Sequence, residues 1–147
     1  MPVIRTCKVC ETKNRVTVEH LADTVRCGKC KSAIPPISEP VEVDAELFDE
    51  VVRRARVPVL ADFWAAWCGP CRIVAPEVSR AAANLAGKAI AVKVDTERYP
   101  QLAGRYNIRG IPNLIVFFKG KVVKQQAGVV DHAQMEDWLT TAFQAAA

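Results

Sequence analysis

"VPVLADFWAAWCGPCRIVAPEVSR", residues 57–80, carries an element boundary and a reactive pair in one stretch. Residues 57–65 are an apolar run of strand length, of the kind buried on both faces of a central sheet. From Gly69 the pattern becomes helical and predicts a helix to about Ala86. A kink is expected at Pro76, because an interior proline removes a backbone hydrogen bond. Cys68 and Cys71 stand where strand hands over to helix. Unpaired backbone N–H groups and the positive end of a helix dipole favour a thiolate there, so Cys68 is expected to be a nucleophile with a lowered pKa. Cys71 lies one turn behind on the same face, within reach of a disulfide. Gly69 lets another backbone approach, and Pro70 pre-sets the first helical turn. Half of a metal site is the competing use, but residues 38–147 offer no third cysteine and only His132 as a further ligand.

The surrounding sequence alternates strands and helices. "DAELFDEVVRRA" (44–55) puts Leu47, Phe48, Val51, Val52 and Ala55 on one helical face, with Asp44 as N-cap. "AIAVKV" (89–94) is a second buried strand, and "ERYPQLAGRY" (97–106) a short helical face of Tyr99, Leu102, Ala103 and Tyr106. "NLIVFF" and "VVKQQA", separated by "KGK", read as a hairpin. A last helix starts at Asp131 and Gln134 in a capping-box-like arrangement and turns Met135, Trp138, Leu139, Ala142 and Phe143 inward. This order predicts an α/β sandwich with a mixed sheet.

The beginning of the chain differs in kind. All ten aromatic residues of the 147-residue sequence lie at or after Phe48. Residues 1–37 carry seven Lys or Arg against three acidic residues, which accounts for the whole net charge of +4. "IPPISEP" (34–40), with three prolines in seven residues, reads as a stiff linker. A small module over 1–37 and a main domain over 38–147 are therefore expected. Cys7, Cys10, Cys27 and Cys30 give C-x2-C-x16-C-x2-C, a spacing that fits one structural zinc ion with four thiolate ligands. A segment without aromatics cannot bury enough apolar area to fold alone, and a metal supplies what is missing. Two disulfides, or four incidental thiols, are the alternatives. His20 is not needed once four thiolates are present. "MPVIRTCKVC" has no apolar core of a signal peptide, and no run approaches a membrane span. A reducing, cytoplasmic setting is expected, where cysteine pairs serve as ligands or reaction centres.

"DFWAAWCGPCR", "NIRGIP" and "KG" before the last strand resemble thioredoxin, through residues 38–147. With the first four cysteines, the chain resembles the zinc-ribbon-containing, thioredoxin 2 type of bacterial thioredoxin. The resemblance implies the thioredoxin fold and a protein-disulfide reductase, in which Cys68 attacks and Cys71 resolves. It makes Asp62 the buried carboxylate beneath the pair, and a carboxyl group in so apolar a run should titrate high and suit acid–base work near neutrality. Lys93 corresponds to the lysine beside that acid, with an ordinary strand-end lysine as the other reading. Pro112 corresponds to a cis-proline packed on the disulfide. Trp67, Gly69, Pro70, Gly110, Ile111, Pro112 and Gly128 correspond to the rim that grips an extended client. Asn113, where threonine is usual, and Asn107, where glycine is common, depart from the pattern and bear on client choice.

An NADPH-dependent flavoprotein thioredoxin reductase and disulfide-containing client proteins are the implied partners, with a monomer and no bound organic cofactor. An oxidase or isomerase is one rival reading. Another is a nucleic-acid-binding ribbon or redox-responsive zinc switch with a redox domain attached. The charge of the first module favours a polyanion partner, but it has no aromatic residue on which a base could stack.

Overall fold

The computed structural model describes residues 2–145. The first module consists of two small antiparallel pairs. β1 (Val3–Thr6) pairs with β2 (Lys13–Val16), and β3 (Val25–Arg26) with β4 (Ala33–Ile34), with a 3-10 turn at Val18–His20 between the pairs. The main layer is a five-stranded mixed sheet. Its order is β5 (Val41–Glu42), β7 (Ile90–Asp95), β6 (Val59–Trp64), β8 (Asn113–Phe118), β9 (Lys121–Ala127). β6 runs parallel to β7 and antiparallel to β8. Four helices, α1 (Ala45–Arg54), α2 (Gly69–Asn84), α3 (Pro100–Arg105) and α4 (His132–Ala145), complete the α/β sandwich. β5 is too short to stand out in the sequence, where Val41 and Glu42 lie just beyond the proline-rich segment.

Alternation along β6 distributes side chains to two cores. Val59, Ala61 and Phe63 pack with Phe48, Val51 and Val52 of α1 and Leu102 of α3. Phe48 meets Phe63, Tyr106 and Phe117 edge to face, with centroids 5.7–6.0 Å apart. Leu60 joins the other core, with Val74, Val78 and Ala81 of α2 and Met135 and Leu139 of α4. Asp62 shares the parity of Leu60, so its carboxyl group is aimed beneath α2.

The first module is not a bead on a string. Val16, Val18, Leu21 and Ile37 are buried in the same core as the α1 face. The Ile37 N–H donates to the Leu21 carbonyl at 2.9 Å, and Glu19 faces Arg54 at 3.9 Å. Pro36 and the Ala22 carbonyl lie against Gly87, just before β7 begins. These contacts fall at the end of the sheet where β6 and β7 start, opposite the end that carries Cys68.

The sequence reading holds for α1, with the Leu47 N–H donating to Asp44 Oδ1 at 2.8 Å, and for α4, with the Gln134 N–H donating to Asp131 Oδ1 at 2.9 Å. α2 continues through Pro76 and ends two residues before the predicted limit. Two expectations need correction. Lys121 belongs to β9, because Lys119 and Gly120 alone make the turn, at φ +53° and +80°. Phe143 does not face inward. It is 45 % exposed and stacks on Phe118 at 6.0 Å, because Met135, Leu139 and Ala142 already fill the inner stripe of α4.

Candidate active site

β6 ends at Trp64, and four residues later the chain enters α2 with Cys68 as N-cap. Cys68 Sγ accepts the Cys71 N–H at 3.2 Å, the kind of cap that stabilises negative charge on sulfur. Cys68 and Cys71 form a disulfide, with Cα atoms 5.3 Å apart. Both cysteines are buried and pack with Ala65, Trp64 and Ile111. Across the cleft, Cys68 Sγ lies 3.6 Å from the Ile111 carbonyl, and the Ile111–Pro112 peptide bond is cis.

The surface around the pair is apolar and open. Trp67 is 70 % exposed, with Gly69, Pro70 and Gly110 exposed beside it. Its indole N–H donates to the Glu97 carboxylate, which fixes the ring at the mouth of the site. Pro112 is buried behind this rim, and its carbonyl accepts the N–H of Gly128, a glycine at φ +98°.

On β6, on the face that Leu60 turns to α2, Asp62 is fully buried and neither carboxylate oxygen has a hydrogen-bond partner among the described residues. Desolvation pushes its pKa up to about 7 against the lowering influence of Lys93, and Glu42 adds to the rise. Lys93 is its register partner on the parallel β7, and Glu42 is the partner of Lys93 on β5. The Lys93 ammonium lies 4.9 Å from the Trp64 ring centroid. A cavity of about 140 Å³ opens between Cys71, Trp64, Ala75 and Lys93, large enough to admit water near the resolving sulfur.

In the first module, the Sγ atoms of Cys7, Cys10, Cys27 and Cys30 lie within 4.8 Å of one another. Cys7–Cys30 and Cys10–Cys27 are each 3.6 Å apart. A tetrahedral Zn–S shell with bonds of about 2.3 Å has edges near 3.8 Å, so the donor set fits the ion, whereas disulfides would bring the sulfurs to about 2 Å. The two CxxC turns are built alike. Glu11 N–H returns to the Cys7 carbonyl and Lys31 N–H to the Cys27 carbonyl, with Glu11 and Lys31 both left-handed at φ +63° and +67°. The Asn14 amide and the Lys29 N–H donate to Cys27 Sγ at 3.5 and 3.4 Å. The Cys30 backbone N–H above all, with these two, lowers the Cys27 pKa to about 6.

A family model described as Thioredoxin matches residues 39–141. The chain belongs to the thioredoxin family. It is 36 % identical to Thioredoxin C-3 of Corynebacterium nephridii over 97 % of both chains, an alignment long enough to enter the four-cysteine module. Thioredoxin 1 of a Nostoc species is 43 % identical over 70 % of this chain and 96 % of its own. A point-substituted thioredoxin from Halobacterium salinarum superimposes with a TM-score of 0.67 and 33 % identity, covering 76 % of this chain and 96 % of that one. Thioredoxins are thiol–disulfide oxidoreductases, and so is this protein. Among the described residues, no helix is long and apolar enough to cross a membrane.

The sequence-predicted residues fall into two groups. Cys68, Cys71, Ile111 and Lys93 gather around the start of α2, with Asp62 the register partner of Lys93, and the four cysteines of the first module form a cluster of their own. Sequence reasoning passed over Glu97, Asn14, Glu42 and Gln125. Glu97 is one of two acidic residues in "DTERYP", and only the fold brings it to the Trp67 indole. Asn14 had no spacing rule to mark it. Asn107, flagged as a departure from glycine, sits at φ +54°, a conformation asparagine tolerates better than most side chains.

Proposed function

We propose that the protein is a protein-disulfide reductase acting through Cys68-Gly69-Pro70-Cys71. The observation that carries this reading is the Cys68–Cys71 disulfide at the N-cap of α2, beside an open apolar rim, in a domain whose β6 also buries the unpartnered Asp62. In the reduced protein, the Cys68 thiolate attacks one sulfur of a client disulfide. That bond breaks, the departing client sulfur takes a proton, and a mixed disulfide remains. Cys71 then loses its proton to Asp62, whose pKa of about 7 suits it to accept one at neutral pH. The Cys71 thiolate attacks Cys68 Sγ, and the second client thiolate leaves and is protonated. Two electrons have passed to the client, and Cys68–Cys71 is oxidised.

Lys93, on the register position beside Asp62, favours the carboxylate that accepts the proton. Trp67, Gly69, Pro70, Gly110 and Ile111 receive the extended client, with Pro112 and Gly128 supporting the Ile111 loop from behind. An NADPH-dependent thioredoxin reductase would restore the dithiol. The protein works as a cytoplasmic monomer on disulfide-containing clients, with residues 1–37 as a ribbon and 38–147 as the thioredoxin domain. Cys7, Cys10, Cys27 and Cys30 hold one zinc ion, which when bound is a closed structural site that ties the two CxxC turns together. Insulin reduction coupled to NADPH oxidation by thioredoxin reductase tests the function. Turnover dependent on both proteins is expected, and its absence, with no reduction by the chemically reduced protein either, would refute the reading.

A further inference from the structure

Behind the client loop, two side chains close a hydrogen-bonded ring that the chemistry above does not use. Asn113, the residue after the cis-proline, is buried at the start of β8. Its Nδ2 donates to the Gly110 carbonyl at 3.5 Å, and its Oδ1 accepts from Gln125 Nε2 at 3.2 Å. The same Gln125 nitrogen donates to the Tyr106 carbonyl at 3.1 Å. An amide NH₂ has two hydrogens, so both bonds form together. The orientation is also fixed. Turning the Asn113 amide over would set its NH₂ against that of Gln125, donor against donor, and leave Gly110 without its bond.

We propose that Asn113 and Gln125 are positioning residues that clamp segment 106–112 and so set the height of the Ile111 carbonyl over Cys68 for an extended client. Gln125 stands on β9, the edge strand of the sheet, and Tyr106 ends α3, so the clamp spans three elements and holds the loop from both sides. The segment needs such a hold. Asn107 is left-handed at φ +54°, and Gly110, exposed, carries no side chain that could anchor it. Without the ring, the backbone of residues 107–111 would be tied mainly by the Ile108 N–H to the Ala103 carbonyl and the Asn107 N–H to the Gly104 carbonyl. The main-chain groups of Gly110 and Ile111 lie at the rim, where an extended chain would pair with them. The clamp therefore acts on clients that have a backbone, and far less on small disulfides that meet only sulfur.

The inference rests on the reductase reading, and the test separates the two. The reduced full-length protein is mixed with a disulfide-linked peptide and with a small disulfide such as hydroxyethyl disulfide, and both exchange rates are measured. The rates of the unsubstituted protein test the reductase reading, whereas the peptide-to-small-disulfide ratio in the variants tests the clamp. Gln125→Val suits an exposed edge strand and removes both donated bonds. In this variant the ratio is expected to fall about tenfold, since sub-ångström misplacement of a binding element is enough for such a loss. Asn113→Ala should give the same fall, and the double variant no more than either alone, because one ring is broken in each case. An unchanged ratio in Gln125→Val overturns the proposal, as does a double variant whose loss is the product of the two single losses. If Asn113→Ala does not fold, Gln125→Val decides alone, its melting temperature showing that it is folded.

Discussion

Asp62 and Lys93 are register partners on neighbouring parallel strands, yet neither oxygen of the Asp62 carboxyl accepts a hydrogen bond among the described residues. Among the described residues no salt bridge joins them, and the Lys93 ammonium lies over the Trp64 ring instead. The buried acid is left available to a proton rather than to a partner.

The sign of the resulting pH dependence is fixed. The folded pKa of Asp62, about 7, lies above the unfolded value near 4, so folding favours the protonated form. The cost of keeping the carboxylate buried appears as pH rises above about 4, grows to about pH 7 and stays constant above that, reaching roughly 4 kcal/mol. Asp62→Asn, which is neutral throughout, is expected to match the native stability at pH 4 and exceed it at pH 8, while slowing resolution of mixed disulfides. Denaturant melts at the two pH values measure this, and an equal difference at both would remove desolvation of Asp62 as the cause.

The two cysteines should part company under substitution. Cys68→Ser should abolish disulfide reduction, because the N-cap sulfur is the one that attacks. Cys71→Ser should accumulate mixed disulfides with clients, visible by mass spectrometry. Equal trapping by both variants would sink the assignment of roles.

The four-cysteine cluster should carry one zinc ion per chain in reduced protein, by elemental analysis. Asn14, which donates to Cys27 Sγ and accepts the Gly28 N–H at 2.9 Å, supports the cluster from outside the four sulfurs. Asn14→Ala should weaken zinc about 10–100-fold in competition with a chelator. A zinc content of zero or two, or an affinity that does not move, contradicts this arrangement.

The shared core at Leu21 gives a prediction about stability. Leu21 is fully buried against the α1 face, so Leu21→Ala should cost about 2–5 kcal/mol. A chain beginning at Ser38 should still reduce insulin but melt at a lower temperature, because Phe48, Val51 and Val52 lose part of their cover. Loss of insulin reduction by a folded truncation would mean that the ribbon takes part in the chemistry. Unchanged melting would mean that the apolar contact adds nothing.

The reactive centre was legible in the sequence because its determinants are local. An apolar strand, a Gly-Pro helix start and two cysteines three apart specify one another within residues 57–80. The four-cysteine cluster was legible because ligand spacing is a local rule applied twice. What remained hidden depends on pairs distant along the chain. Glu97 lies 30 residues from Trp67, Gln125 lies 12 from Asn113, and Ile37 meets Leu21 across the ribbon. The proline-rich stretch looked like a spacer for the same reason, since the cover over Ile37 comes from elsewhere in the chain. Phe143 misled because helical periodicity marks a face without saying how wide the partner surface is.

The ribbon meets the sheet where β6 and β7 begin, and the disulfide stands where β6 ends. The molecule is therefore polar in the sense of a tool, with a handle and a working tip. What the ribbon touches and what the disulfide touches can therefore be varied separately, because the end of β6 and the start of α2 are left uncovered by the ribbon contacts at Gly87.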